Sequence, residues 1–425
     1  MSDFHQTTTI TTLHSLHAPL DADAYQECLE ERLLQHAQKS RITLLLPCLY
    51  SELSNREVIN RITSAIKSTG YIHSVVVALG RASHDDFSQA KEYFSTLVST
   101  KRSVHLVWID GPRIQAILNR AQQLNINVGL PGKGQSVWIS LGYILGGLNS
   151  DVIALHDCDI TTYTPTMLAR LIEPVADPGK NYEFCKGFYS RISPHNKVMH
   201  GRVTRLFVSP FLAAVIPLMR QHGLYRLEQY FLFHQAFRYS LAGEFCMSRN
   251  LAKGIDMSYD WGLEVGTLSQ VYESLHPRKI AQIDLDINYE HKHQPLSTHS
   301  RDSGLHRMVI DIARSYLNVM RTKGYALSDE SVDVLQNAYN QSALDCVRRY
   351  ADDASVNQLH YDRYEEEQTV QHFSQYLLTA WHEVKGSMVS SQLPSWSRIS
   401  YSIPDIYRDL VLAVDQDNNS EGHST

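Results

Sequence analysis

Short apolar runs alternate with amphipathic segments along residues 41–157, and this alternation constrains the fold more than any other feature of the chain. Short apolar runs bounded by polar residues are typical of buried strands, whereas apolar positions three and four residues apart indicate helices. We predict strands at 41–46, 75–79, 104–109 and 151–155, with helices at 57–68, 86–97, 114–124 and 136–148. Such alternation predicts parallel strands with helices on both faces, and ligands in these sheets bind beyond the carboxyl ends of the strands. The sequence therefore predicts an α/β fold with Pro47, Gly80 and Asp157 at the binding edge.

The strand at 151–155 leads directly into His156-Asp157-Cys158-Asp159. If the chain stays extended, side-chain alternation places the carboxylates of Asp157 and Asp159 on the same side. Hard cations such as Mg²⁺ or Mn²⁺ prefer oxygen ligands, and such an ion can hold a diphosphate. The alternative is an ordinary turn at a strand end, where Asp is common because it turns and caps the backbone. The pair predicts a metal site only in combination with the motifs around it.

Two further segments carry charged side chains in suitable surroundings. The glycine-rich segment Gly129-Leu-Pro-Gly-Lys-Gly134 precedes a predicted helix, whose N-terminus favours anions, so Lys133 could reach a phosphate. No Ser or Thr follows this lysine, which excludes a Walker A loop. Glu264 lies in Trp261-Gly-Leu-Glu-Val-Gly266, where it could accept hydroxyl hydrogen bonds from a sugar. The alternatives are a glycine-rich connection with an exposed lysine and an exposed helical glutamate.

Three motifs of the second half are weaker alone. Gly201-Arg-Val-Thr-Arg205 offers two guanidinium groups, which suit bidentate phosphate or carboxylate recognition, although a solvated strand edge is the alternative. In Tyr289-Glu-His-Lys-His293, His291 could complete an octahedral metal site, although a lone histidine is more often structural or exposed. Leu241-Ala-Gly-Glu-Phe245 predicts a tight turn and a structural carboxylate.

Composition limits the class of protein. The chain has 425 residues and a formal net charge of −6, which argues against wrapping nucleic acid. Its six cysteines are scattered without a C-x-x-C pair, which indicates a reducing compartment rather than a zinc ribbon or a disulfide framework. The first forty residues lack the pattern of a signal peptide, and no apolar run approaches the ~20 residues of a membrane helix. We expect a cytoplasmic protein without nucleic-acid or membrane partners.

The order of the motifs resembles that of the glucosyl-3-phosphoglycerate synthases, which are retaining GT-A glycosyltransferases related to mannosylglycerate synthases. The resemblance covers about residues 41–300. The motifs that carry it are, in order, Pro47-Cys-Leu-x-x-Glu52, Pro131-Gly-Lys-Gly134, Asp157-x-Asp159, Gly201-Arg-Val-Thr-Arg205, Gly243-Glu244, Gly262-x-Glu264-x-Gly266 and Glu290-His-x-His-Gln-Pro-Leu296.

The resemblance implies UDP-glucose as donor, Mg²⁺ or Mn²⁺ as cofactor and 3-phosphoglycerate as acceptor, with glucosyl-3-phosphoglycerate, a precursor of the compatible solute glucosylglycerate, as product. It implies catalytic roles for four residues, with Asp159 and His291 on the metal and Glu264 on the glucose: Lys133, Asp157, Asp159 and Glu264. Donor contacts are implied for Pro47, Cys48, Leu49, Glu52, Lys133, Asp157, Cys158 and Glu264. Acceptor contacts are implied for Gly201, Arg202, Val203, Thr204 and His293.

The resemblance implies a GT-A fold with a mixed sheet, the mostly helical pattern after residue 300 predicts a C-terminal helical appendage, and we expect a homodimer. The predicted parts are a polar and helical segment at 1–40, a catalytic domain at 41–300, a helical region at 301–415 and a disordered tail at 416–425. From about residue 180 the strands and helices are mixed, with strand-like pieces at 184–189 and 203–207 and a strand at 280–287.

Two departures from the family pattern leave alternatives open. Ala78-Leu-Gly-Arg-Ala-Ser83 replaces the usual acidic strand end beside the nucleoside, and His293 replaces an acceptor-side Asn. A related transferase using GDP-mannose or plain glycerate is therefore an alternative, as is a non-catalytic sugar-nucleotide-binding protein. A nucleotidyltransferase is disfavoured because Pro47-Cys-Leu-Tyr50 stands where that class carries a glycine-rich basic signature.

Overall fold

The structure is a computed structural model that describes residues 6, 8–16, 21–193, 195–286, 289–290, 304–325, 327–386 and 391–419. The described strands are β1 (Thr11–Leu13), β2 (Ile42–Leu49), β3 (Ser74–Gly80), β4 (Ser103–Trp108), β5 (Val152–Leu155), β6 (Phe184–Tyr189), β7 (Ile192–Ser193), β8 (Val198–Met199), β9 (Phe245–Ser248), β10 (Met257–Ser258), β11 (Ile280–Asp286) and β12 (Gln392–Leu393).

The described α-helices are α1 (Ala22–Ala37), α2 (Arg56–Ser68), α3 (His84–Ser95), α4 (Pro112–Gln123), α5 (Lys133–Gly147), α6 (Pro165–Ala176), α7 (Ser209–Gln221), α8 (Tyr225–Ala236), α9 (Arg249–Gly254), α10 (Leu263–Ser274), α11 (Leu305–Thr322), α12 (Asp329–Val356), α13 (Arg363–Gly386), α14 (Trp396–Ser402) and α15 (Ile406–Asn419). Short 3₁₀ turns occur at Tyr50–Ser54 and Pro277–Lys279, and a π-helical turn at Val203–Val208 runs into α7.

Eight of the described strands form one mixed sheet in the order β1-β11-β6-β9-β5-β2-β3-β4. Neighbours are parallel except at β9, which runs antiparallel to both β5 and β6. The sheet is buried on both faces, as the continuous apolar run of β2 predicts: Leu44 packs into one hydrophobic core with α2 and α6, and Leu45 packs into a second core with α5. The expected α/β layering and mixed sheet are confirmed.

Pro47 does not end its strand, contrary to the prediction. β2 continues to Leu49, and Pro47 pairs in register with Ala78 of β3. Pairing with β5 on the other side stops at Leu45, so the strand is an edge on that side at Pro47, a position where a missing N–H is tolerated.

The segment 203–207 is helical, so the strand predicted there is wrong. Its residues are all buried and contact α7, α12 and α13, and a segment as short as this one does not distinguish strand from buried helix by its apolar residues alone. The 18-residue apolar window within Val203–Gln221 is long and apolar enough to cross a membrane by composition, but 72% of it is buried inside the protein, as in a core helix.

The N-terminal segment belongs to the sheet. β1 pairs in parallel with β11, and α1 packs on α6. The predicted boundary at residue 41 therefore does not separate two packing units.

The helical region after residue 300 divides into two parts. Helices α11–α13 share a third hydrophobic core with α7 and α8, in which Phe211 stacks on Tyr316 at 5.3 Å between ring centroids. Helices α14 and α15 instead return to the sheet: Trp396 lies 4.7 Å from Trp138 and donates to its carbonyl. Asn418 bonds both backbone groups of Leu106 on β4. Residues 416–419 are thus helical, which corrects the tail predicted from their polar composition, while 420–425 lie outside the described residues.

Candidate functional site

Lys133 lies between two carboxylates at the carboxyl edge of the sheet. Its Nζ is 2.8 Å from Oδ1 of Asp157 and 3.2 Å from Oε1 of Glu264. Helix α5 begins at Lys133, three residues before the predicted start, so the ammonium group belongs to the first helical turn. Residues 133, 157 and 264 are brought together from α5, the end of β5 and α10, and we call them the lysine cluster.

The two carboxylates of the lysine cluster stabilise the protonated form of Lys133. Burial lowers the pKa of Lys133, but the carboxylates of Asp157 and Glu264 outweigh it and hold the pKa above its ordinary value. The lysine is therefore protonated at neutral pH. The side chain of Glu264 is 9% exposed, which excludes the exposed helix position considered as its alternative.

Two glycines permit this close packing. A Cβ at Gly243 would lie 2.5 Å from Oδ2 of Asp157 and 2.9 Å from Nζ of Lys133. A Cβ at Gly134 would lie 2.1 Å from the backbone oxygen of Ser258. These distances are shorter than any ordinary carbon contact, so any larger residue at either position would displace the cluster or the loop that carries it.

Asp159 does not extend the strand as the alternation argument assumed. β5 ends at Leu155, and Cys158 and Asp159 lie in a turn. The Asp159 carboxyl group nevertheless lies within reach of the charges of the lysine cluster: burial and the Asp157 charge raise its pKa to about 7, while Lys133 opposes the rise. Burial lowers the pKa of the adjacent His156 to about 3, so this imidazole is neutral.

Further acidic groups surround Asp159. The carboxylates of Glu52 and Glu244 also raise its pKa, and Glu244 is itself buried, accepting a 2.8 Å hydrogen bond from Tyr189. The turn motif at 241–245 therefore supplies the structural carboxylate that was predicted, beside the lysine cluster. The site contains more carboxylates than the cation of Lys133 neutralises.

His291 and His293 lie outside the described residues, so the structure does not test their predicted roles. The residue just before His291 is described: the backbone oxygen of Glu290 accepts hydrogen bonds from Thr161, at 2.7 Å from its N–H and 2.8 Å from its hydroxyl. Thr161 stands two residues after Asp159. Glu290, the residue before the predicted histidine ligand, therefore lies close to the Asp157-x-Asp159 turn.

The predicted donor residues of β2 form the wall opposite α5. Pro47, Cys48 and Leu49 end the strand, and Glu52 follows in a 3₁₀ turn. A Cβ at Gly80 would lie 3.7 Å from Leu49 and 3.9 Å from the hydroxyl oxygen of Ser136, so the first turn of α5 faces these strand ends.

The thiol of Cys158, next to Asp157, stays protonated at neutral pH. Cys48 and Cys158 are both buried. A hydrogen bond with Cys48, together with burial, raises the pKa of Cys158 well above its usual range.

The motif 201–205 begins a helix with a π-helical turn, a feature that occurs frequently at functional sites. Gly201 has a φ of +77°, which favours glycine, while Val203 and Thr204 are buried. No hydrogen-bond partner of the Thr204 hydroxyl occurs among the described residues.

The arginines of this motif pair with the C-terminal helical region. Nε of Arg202 is 2.9 Å from Glu366 and its Nη2 is 2.7 Å from Glu365, while Nη1 of Arg205 is 3.0 Å from Glu366. We call these four residues the arginine cluster. It is a partly buried ion-pair network and not the solvated strand edge considered as the alternative.

Two tyrosine side chains connect the turn at Gly201 with Glu244. A Cβ at Gly201 would lie 3.2 Å from the hydroxyl of Tyr239, whose ring is 5.0 Å from that of Tyr189. Tyr189 in turn donates to Glu244 beside the lysine cluster. The turn at Gly201 is therefore connected through Tyr239 and Tyr189 to Glu244.

Sequence reasoning missed three charged residues of this region. Lys186 of β6 is 1% exposed and donates to the backbone oxygen of Ala242, which precedes the Gly243-Glu244 turn. Its signal was a lysine inside an otherwise apolar strand. Glu365 and Glu366 gave no local signal, because acidic residues in the first turn of a helix are common.

No family model matches the chain. The chain is 36% identical over 422 residues to the glucosyl-3-phosphoglycerate synthase of Persephonella marina, covering 99% of this chain and 100% of that relative. It is 35% identical over 418 residues to the enzyme of the same name from Methanococcoides burtonii, covering 97% of each chain.

The fold is similar to that of glucosyl-3-phosphoglycerate synthase from Mycobacterium tuberculosis crystallised with Mn²⁺, UDP and phosphoglyceric acid, with a TM-score of 0.51, 22% identity, and coverage of 75% of this chain and 88% of that chain. A crystal structure of the same enzyme with Mg²⁺ and UDP also has a TM-score of 0.51 at 22% identity, over 75% and 88% of the two chains. The predicted GT-A fold is confirmed.

Proposed function

The chain belongs to the glucosyl-3-phosphoglycerate synthase family, and we propose that it transfers glucose from UDP-glucose to 3-phosphoglycerate with retention of configuration. The product is glucosyl-3-phosphoglycerate, the precursor of a compatible solute. The observation that carries the proposal is the lysine cluster, with Asp159 beside it, at the carboxyl edge of a sheet shared with this family. Full-length identity to two relatives of the same name supports the same activity.

The donor occupies the space between the end of β2 and the first turn of α5 in this proposal. Pro47, Cys48, Leu49 and Glu52 contact the nucleoside. The ammonium group of Lys133 and the N-terminus of α5 face the diphosphate, because both favour negative charge. Glu264 accepts hydrogen bonds from glucose hydroxyl groups while its ion pair with Lys133 orients the side chain.

The residues present fit a divalent cation. Asp157, Asp159, Glu52 and Glu244 offer the oxygen ligands that Mg²⁺ and Mn²⁺ prefer, and these carboxyl groups outnumber the two nearby lysines, Lys133 and Lys186. Asp159 and His291 are proposed as the metal ligands, with Asp157 and Cys158 beside the donor. A bound cation supplies Lewis-acid stabilisation of the leaving diphosphate.

The chain's own residues complete the arrangement for same-face attack. Lys133 stabilises negative charge on the departing diphosphate, and Glu264 stabilises positive charge on the sugar ring. The departing phosphate itself accepts the proton of the attacking hydroxyl, since no described carboxylate is assigned as a covalent nucleophile.

The acceptor is proposed to bind at the motif 201–205 and His293. The guanidinium of Arg202 and the buried hydroxyl of Thr204 contact its phosphate, with Gly201 and Val203 shaping the turn. A guanidinium suits phosphate because its N–H groups form a planar fork.

A donor-by-acceptor activity matrix tests the proposal. UDP-, GDP- and ADP-sugars are each assayed with 3-phosphoglycerate, glycerate and related acids, with and without Mg²⁺. We expect the highest kcat/KM for UDP-glucose with 3-phosphoglycerate in the presence of Mg²⁺, and an α-linked product by NMR. Preference for GDP-mannose or glycerate would select the related transferase, and UDP-glucose binding without turnover would select a binding protein.

We also propose a cytoplasmic homodimer. The exposed side chains Val356 and Tyr364, at the end where α12 meets α13, are available for subunit contact. Light scattering of the purified chain measures its mass directly, and a monomer at assay concentrations would contradict the dimer.

A further inference from the structure

Helix α13 reaches the proposed acceptor motif through its first turn. The motif is held by several contacts from the helical region: the Tyr339 hydroxyl donates to the carbonyl of Leu206 at 2.7 Å, and Arg205 lies 4.9 Å over the ring of Tyr350. The backbone N–H of His360 donates to the carbonyl of Lys197 at 2.6 Å. The helical region is therefore part of the wall around Arg202 rather than a separate appendage.

Two adjacent glutamates of α13 hold the same guanidinium in different surroundings. The side chain of Glu366 is 5% exposed and is shared between Arg202 and Arg205. The side chain of Glu365 is 53% exposed and pairs with Arg202. Burial lowers the pKa of Arg202, but the carboxylates of Glu366 and Glu365 outweigh it and raise the pKa above its ordinary value.

Because Glu366 is buried and Glu365 is half exposed, the two carboxylates differ in how easily each can separate from Arg202. Removing one partner of a buried ion pair leaves an uncompensated charge, so Glu366 is held firmly. A half-exposed carboxylate is well solvated when released, so its ion pair contributes little. An incoming phosphate carries more negative charge than a carboxylate and takes the same geometry on a guanidinium fork.

We propose that Glu365 and Glu366 set the acceptor affinity in opposite directions: Glu366 is a positioning residue that aims the Arg202 guanidinium, whereas Glu365 competes with the acceptor phosphate for it. Acceptor binding then releases Glu365 and leaves the Glu366 pairs intact. This inference rests on the proposed function, since it takes Arg202 as the phosphate-binding group.

The test compares three neighbouring substitutions that each remove one negative charge from α13. Glu365→Gln removes the competitor, Glu366→Gln removes the positioning residue, and Glu367→Gln is the matched control because Glu367 pairs with Arg363 instead. Steady-state KM and kcat are measured for 3-phosphoglycerate and for glycerate, at saturating UDP-glucose and Mg²⁺.

We expect Glu365→Gln to lower the KM for 3-phosphoglycerate roughly two- to fivefold with kcat unchanged, as suits a half-exposed ion pair. Glu366→Gln is expected to raise that KM on the order of tenfold, because the guanidinium loses its fixed orientation. Glu367→Gln should match the unsubstituted chain. With glycerate, which lacks the phosphate, the effect of Glu365→Gln should vanish.

Equal KM values for Glu365→Gln and Glu367→Gln would overturn the inference, as would a lower KM that persists with glycerate. If Glu366→Gln does not fold, the first comparison still decides. Arg202→Lys distinguishes failure of the acceptor assignment from failure of the proposed competition by Glu365. If it leaves the KM for 3-phosphoglycerate unchanged, the acceptor assignment fails. If it raises that KM about tenfold while Glu365→Gln has no effect, the competition alone fails.

Discussion

The lysine cluster and the arginine cluster have the same arrangement of charges but are built from different parts of the chain. Each holds a cation between two carboxylates: Lys133 between Asp157 and Glu264, and Arg202 between Glu365 and Glu366. The lysine cluster is assembled within residues 133–264, on elements that form or flank the sheet. The arginine cluster takes its carboxylates from α13, more than 160 residues further along the chain than Arg202.

The helical region therefore contributes residues to the candidate site, because both carboxylates that pair with Arg202 belong to α13. The lysine cluster takes its side chains from α5, the end of β5 and α10, whereas the arginine cluster takes both of its carboxylates from α13. Chemistry at the donor and recognition of the acceptor are therefore expected to respond separately to substitution.

The largest expected effect follows from removing the region that supplies α13. A chain ending at Ser300 loses the helices that cover Phe211 and Trp138, because Tyr316 and Trp396 pack on those side chains. We expect an insoluble or unfolded product, measured by solubility and circular dichroism. Truncation after Asn419 is the control and should leave a folded chain. A soluble, active, monomeric fragment ending at Ser300 would break the comparison.

Asp159→Ala, beside the lysine cluster, should lower the rate of the chemical step more than any other single substitution in this part of the site. Loss of a proposed metal ligand removes several kcal/mol of transition-state stabilisation, so kcat should fall roughly 10²-fold or more. EDTA should have the same effect. Asp352→Ala on the exposed side of α12, where Asp352 pairs with Arg348, is the control. Full activity of the purified chain in EDTA would exclude the metal.

Glu264→Gln tests the lysine cluster without removing atoms. The amide keeps the shape of the side chain but loses the charge-assisted bond to Lys133, which should lower kcat/KM for UDP-glucose on the order of tenfold. The fold should survive, as judged by the melting temperature. Glu273→Gln on the same helix pairs with Lys323 and provides the control. An unchanged rate would assign Glu264 a structural role.

Most of the sheet and most of the lysine cluster could be predicted from sequence, because both depend on local patterns. Buried strands are continuous apolar runs, and the binding edge follows from the parallel order of the strands. The start of α5 and the turn after β5 were misplaced by a few residues. Capping and turn geometry there are set by contacts such as Gly134 against Ser258, which no local pattern records.

Only the two arginines of the arginine cluster could be predicted from the sequence. Arg202 and Arg205 stand in a motif, but their partners lie more than 160 residues away by sequence, in a helix whose charged residues resemble any exposed face. The strand predicted at 203–207 was wrong because both polar and apolar residues of this short helical turn are buried, so the sequence shows no helical periodicity. The contact of Asn418 with β4 was missed for a different reason: residues 416–419 are polar, and polar composition is typical of a disordered tail.

The smallest expected effect concerns a cation that differs from both clusters. Burial lowers the pKa of Lys186 to about 8, and the charges of Glu264 and Glu244 only partly oppose this. Between that value and the ordinary pKa of about 10.4, the unfolded chain binds more protons than the folded chain, so this lysine makes stability rise with pH. The pKa of Arg202 is shifted in the opposite direction, and that group stays protonated throughout.

Comparing the free energy of unfolding of Lys186→Met with that of the unsubstituted chain isolates this contribution, because all other titrating groups are common to both. From pH 8 to 9.5 the unsubstituted chain should gain on the order of 1 kcal/mol relative to Lys186→Met. Denaturant unfolding at several pH values measures the difference. A difference that does not change with pH would mean that Lys186 is fully charged in the folded protein. The donor side would then be as well compensated as the arginine cluster, and the contrast between the two regions would lie only in which part of the chain supplies the carboxylates.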